Sequence, residues 1–156
     1  MKLKVFEGDK HIGDAEVFAL DPPMAIAEAK FHPASAYEAM RHASVIDGDY
    51  VGDRSDILRL EMSNGSGMKS KAISIQDFPS LDEREVYISG IFQPAFDQLF
   101  SDHPHYRDYY DLDLTDEQRA EKQRMLRANV RIRSVKGWLV LVAIFASIAG
   151  AIAFFI

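Results

Sequence analysis

The chain has 156 residues, 24 Asp and Glu against 18 Lys and Arg, and no cysteine, which excludes disulfides, thiolate zinc sites and cysteine nucleophiles. Its charge is divided: residues 1–114 hold 11 Lys and Arg against 21 Asp and Glu, a net −10, while residues 115–136 hold 7 against 3, a net +4. An acidic stretch of that size is long enough for one domain and is a poor nucleic-acid binder, because neutralising phosphates requires clustered cations.

Residues 2–6 alternate in polarity, Gly8-Asp9 supplies a turn, and His11 to Leu20 resumes an extended pattern, which predicts an opening β-hairpin. Asp21-Pro22-Pro23 ends it, since prolines cannot donate to a ladder. Residues 24–31 are read as a short strand. Pro33 then opens a helical stretch over 34–41, with Tyr37, Met40 and Ile46 expected to face the core. Residues 47–56 form an acidic, glycine-bearing loop. A second hairpin is expected from Ile57–Met62 and Met68–Ile75 around Asn64-Gly65-Ser66-Gly67. After a loop at 77–80, Glu85–Phe92 reads as another strand, and Pro94 opens a helical stretch with Phe96, Leu99 and Phe100 on one face. Residues 101–114 read as a domain edge or linker. Thr115 and Gln118 have capping-box spacing, so a helix should start at Asp116, with no Pro or Gly before Gly137. The sequence shows no internal repeat.

These signals predict an α+β fold: a small, mostly antiparallel-sheet domain of five or six strands with short helices, over residues 1–112. A basic juxtamembrane helix or linker follows at 113–136, continuing into a C-terminal transmembrane helix at 137–156. The last stretch contains no charge and only one hydroxyl, Ser147. Twenty helical residues span about 30 Å, the thickness of a bilayer's hydrocarbon core. Its eleven Leu, Ile, Val and Phe residues favour insertion by about 5 kcal/mol in total. Trp138, Leu141, Ile144, Phe145, Ile148, Ile152 and Phe155 are among the residues expected to lie in the lipid. Arg127, Arg131, Arg133 and Lys136 precede the span and should keep residues 1–136 on the cytoplasmic side, near lipid headgroups. The N-terminal residues contain no apolar run resembling a signal peptide. The expectation is a single-pass, tail-anchored protein, with the bacterial inner membrane the favoured host. Small residues at four-residue spacing (Ala143, Ser147, Ala151; Ala146, Gly150) allow homo-oligomerisation through the span.

Candidate chemistry is sparse. Asp47, Asp49, Asp53 and Asp56 could offer oxygen ligands to a divalent cation, but their order is not that of an EF-hand loop, and Asp and Gly are ordinary turn residues. His103 and His105 could share a metal, yet Pro104 between them favours an irregular backbone and a surface role. No phosphate loop or dinucleotide fingerprint occurs, and Ser89-Gly90 lacks a nucleophile-elbow context. No metal or cofactor is therefore assigned. Tyr106, Tyr109 and Tyr110 form either a partner-binding patch or a satellite core. The sequence favours a non-enzymatic adaptor or accessory subunit that binds a protein partner at the membrane. The alternatives are a small metal-dependent hydrolase and an acidic immunity or inhibitor protein against a basic toxin.

Overall fold

The structure is a computed structural model that describes residues 1–127. Residues Met1–Tyr110 form one compact unit, and a second begins at Asp111. The first unit is a sheet-dominated α+β domain. Its opening strands are β1 (Lys2–Glu7), β2 (Lys10–Asp21) and β3 (Ile26–Pro33), an antiparallel meander close to the sequence expectation. Then come α1 (Ala39–His42), β4 (Ala43–Ile46), β5 (Asp49–Tyr50), β6 (Leu58–Met62), β7 (Gly67–Met68), β8 (Ala72–Phe78) and β9 (Glu83–Ser89). Two short helices close the unit, α2 (Phe96–Phe100) and α3 (Pro104–Tyr109).

One sheet holds all nine strands described, in the order β5-β4-β8-β9-β3-β2-β1-β6-β7. Every pairing in it is antiparallel except β4 with β8. The strand count exceeds the five or six expected because β4, β5 and β7 are only two to four residues long. Such strands are too short to show a period in sequence.

The expected second hairpin is corrected. β6 and β7 do pair around Asn64-Gly65, but only at Leu60↔Met68 and Glu61↔Gly67. The chain then leaves: the Lys69 amide binds Gln93 O, the Lys71 amide binds Ser89 O, and β8 pairs with β9 and β4. The helix expected over 34–41 shrinks to four residues, since Glu38 remains extended and residues 34–37 make a turn. Met40, expected in the core, is 74% exposed. Residues 101–114, read as a domain edge or linker, contain α3, and the first unit ends among them at Tyr110.

The core lies on the inward face of the long strands. Leu3 and Val5, Ile73 and Ile75, and Val86 and Ile88 alternate with outward residues at two-residue spacing. Ala27 and Ala29 on β3 sit opposite Ile88 and Val86, so small side chains make room for large ones. Phe100 of α2, 1% exposed, adds the largest fully buried side chain. Gly13 is obligatory for a close approach, because a Cβ there would sit 2.4 Å from the Phe31 ring and 2.6 Å from His32 O.

The connections β2–β3 and β8–β9 share one construction. Each is a 3-10 turn with proline at its start, Pro22–Met24 and Pro79–Leu81. Each ends on a left-handed residue, Ala25 at φ 51° and Asp82 at φ 53°, whose amide returns to the carbonyl of that proline.

In the second unit, the capping box forms as expected. The Thr115 amide donates to Gln118 Oε1 at 2.9 Å, and the Gln118 amide donates to Thr115 Oγ1 at 3.3 Å. The helix it starts is described over 116–127. Its expected continuation and the span at 137–156, with Trp138, Leu141, Ile144, Phe145, Ile148, Ile152 and Phe155, lie outside the described residues, as do Arg131, Arg133 and Lys136. Among the described residues no helix is long and apolar enough to cross a membrane.

Candidate functional site

The domain concentrates its buried polar groups at one end of the core. On β8 the inward positions run Ile73, Ile75 and then Asp77, so strand alternation itself carries a carboxylate into the interior, where it is 2% exposed. The β8–β9 register sets Arg84 directly opposite, and its Nε lies 2.9 Å from Asp77 Oδ1. The loop after β3 supplies Tyr37, whose hydroxyl donates to Asp77 Oδ2 at 2.9 Å. Tyr37 also meets the Phe31 ring edge-on at 5.1 Å and stacks on His42 at 5.5 Å.

His42, the last residue of α1, is fully buried. Its Nδ1 accepts from the Glu38 amide at 2.9 Å, which leaves Nε2 to carry the proton facing Glu7 Oε2 at 3.2 Å. Glu7 ends β1 and is also gripped through both carboxylate oxygens by Arg41, with Nε at 2.9 Å from each. The chain Arg41–Glu7–His42–Tyr37–Asp77–Arg84 thus ties β1, α1, β8 and β9 together.

The electrostatics follow from these contacts. Hydrogen bonds from Arg41 and then His42 hold the Glu7 carboxyl down from its ordinary 4.5 to about 2. The same pairing raises Arg41. Burial, then the bond to Asp77, pushes the Tyr37 hydroxyl well above its ordinary range. The arrangement fixes the backbone at this end of the sheet.

Beside the network lies an open depression of about 510 Å³, lined by residues that include Pro33, Ala34, Tyr37, Ala39, Pro79 and Arg84. Asp77 is itself among the residues that line it.

The residues singled out from sequence fall elsewhere. Asp47 binds the Ser80 hydroxyl at 2.6 Å and the Ser80 amide at 3.2 Å, fastening the β8–β9 turn. Asp53 closes a turn on the Ser55 amide and hydroxyl, and those two bonds lower its carboxyl. Asp49 and Asp56 are exposed. His103 caps α3, its Nδ1 accepting from the His105 amide at 3.2 Å, while His105 Nδ1 accepts from the Leu20 amide at 3.2 Å. The two rings meet edge to face at 5.3 Å, and burial, then His105, lowers His103. Among the described residues no three His, Asp or Glu side chains converge as metal ligands.

The three tyrosines divide. Tyr106 packs against the core, with burial raising its hydroxyl, whereas Tyr109 and Tyr110 are 53% and 47% exposed. Tyr110 packs on both others, with ring centroids at 4.7 Å and 4.9 Å. Arg127 is exposed on its helix.

Sequence reasoning missed the network of Glu7, His42, Asp77 and Arg84. The available signal was the phase of Asp77, which continues the Ile73-x-Ile75 alternation.

The chain matches no family model, and neither the curated proteins nor the solved structures contain a significant match to it.

Proposed function

We propose that this protein is a membrane-tethered interaction module, an adaptor or accessory subunit whose acidic domain meets a protein partner at the cytoplasmic face of a membrane. The observation that carries the reading is the uncharged run over 137–156, preceded by Arg127, Arg131, Arg133 and Lys136. In this reading the helix that starts at Asp116 continues as a stand-off arm into the span. Tethering confines the domain to a thin layer and raises its effective concentration toward partners there. A net −10 over residues 1–114 favours a partner with a basic face and speeds their encounter in a salt-dependent way.

The buried polar network is engaged within the domain, which supports a binding role over catalysis. Its imidazole is buried and its carboxylates are engaged by arginine, tyrosine and histidine within the domain. The test is recovery of bound proteins from native membranes in mild detergent, at low and at high salt. A defined partner held at low salt and released at high salt is expected. A purified protein that turns over a substrate, with no partner at either salt level, contradicts the proposal.

A further inference from the structure

We propose that the basic arm pairs with the same arm of a second copy of this chain, as a parallel two-stranded coiled coil. This rests on the membrane-tethered reading, which stands both copies the same way up in one membrane. From Leu114, the residues Gln118, Glu121, Met125, Ala128, Ile132, Val135 and Leu139 follow at alternating steps of four and three. Six of these eight are apolar, against four at most in any other heptad register over 114–139. Apolar residues at such steps, sustained over more than three heptads, form the seam of a coiled coil.

In the described part of the arm, that side of the helix is open. Leu114, Gln118, Glu121 and Met125 lie along one groove of about 580 Å³. Every residue from Ala120 to Arg127 is exposed, Met125 at 61%. The cations beside the seam are held locally. Arg119 donates to Asp111 O at 3.1 Å and to Asp116 Oδ1 at 2.9 Å, and Lys122 pairs with the Asp111 carboxylate.

The occupant follows from the pattern. A seam of period 3.5 keeps facing a partner of the same period, and an identical arm supplies it in register. Two copies inserted by the same C-terminal span run parallel, and sharing one membrane raises their effective concentration. Gln118 and Glu121 make the first heptad the weak end, so the pair closes from Met125 toward Leu139. Residues 115–136 carry a net +4, so two arms repel one another and added salt should tighten the pair. That sign is opposite to the salt release expected of a basic partner on the acidic domain.

The chain has no cysteine, so single introduced thiols report on the pairing alone. Met125→Cys and Ile132→Cys probe the seam; Gln123→Cys and Val130→Cys probe the outward positions of the same register. Each full chain is diluted into phosphatidylcholine vesicles and oxidised, and the cross-linked dimer is read on a non-reducing gel. The seam variants should cross-link about fivefold more than the outward ones, apolar Val130 included. Adding Glu121→Leu to Met125→Cys removes a like-charge contact and should raise the cross-linked fraction about twofold, whereas adding Ile132→Lys should lower it. Cross-linking that is equal at all four positions, or absent from all four, overturns the proposal. If either occurs while the protein stays with the vesicles through a high-salt wash, the tethered reading stands and the arm is unpaired in it. If the protein also leaves the vesicles, both fall.

Discussion

Glu7 shows how one residue sets the acid limb of stability. Its folded carboxyl is depressed to about 2 by Arg41 and His42. A depressed carboxyl contributes stability that is complete above its unfolded value near 4.5 and is lost as the pH falls through about 2. Comparing wild type with Glu7→Gln by denaturation across this window should show a wild-type slope that the variant lacks. Parallel curves would contradict the assignment. Tyr37→Phe probes the other half of the network. It removes the donor to Asp77 Oδ2 inside the core and should cost about 1–3 kcal/mol in chemical denaturation. A neutral result would mean that Asp77 finds another donor. Neither residue pair was legible in the sequence, because Glu7 and Arg41, like Tyr37 and Asp77, are separated by more than thirty residues.

At the scale of elements, local signals were readable and non-local pairing was not. The opening meander followed from alternation and Pro22-Pro23, and the helix start at Asp116 followed from Thr115 and Gln118. The arms of the predicted second hairpin resemble partners, yet β6 meets only the two residues of β7, and β8 pairs along its whole length with β9. The shared turn construction was invisible because it needs only an initial proline and a final left-handed residue, Ala25 or Asp82. The outer face also has a logic visible only once register is known. Lys2, Glu16, Lys30 and Glu85 lie opposite one another on adjacent strands, alternating in sign. Lys30→Glu places three acids in that row and should destabilise the domain by about 1 kcal/mol at low salt, less at high salt. Salt-independent stability of the variant would show that the row contributes nothing.

For the whole molecule, the division into an acidic sheet domain and a basic segment leading to an uncharged run rests on composition alone. That information is local to the chain and needs no tertiary contact to be read. The candidate metal residues failed to converge for the opposite reason: they serve turns, a cap and local elements, and only the structure shows what Asp47, His103 and His105 bind. The central claim, that residues 137–156 tether a folded domain to a membrane, is tested by fractionating cells expressing the full chain and the chain ending at residue 136. The full chain should remain in the membrane pellet after a high-salt wash. The shortened chain should appear in the soluble fraction with its domain folded. A shortened chain that still pelleted after the wash, or a full chain released by it, would contradict the account.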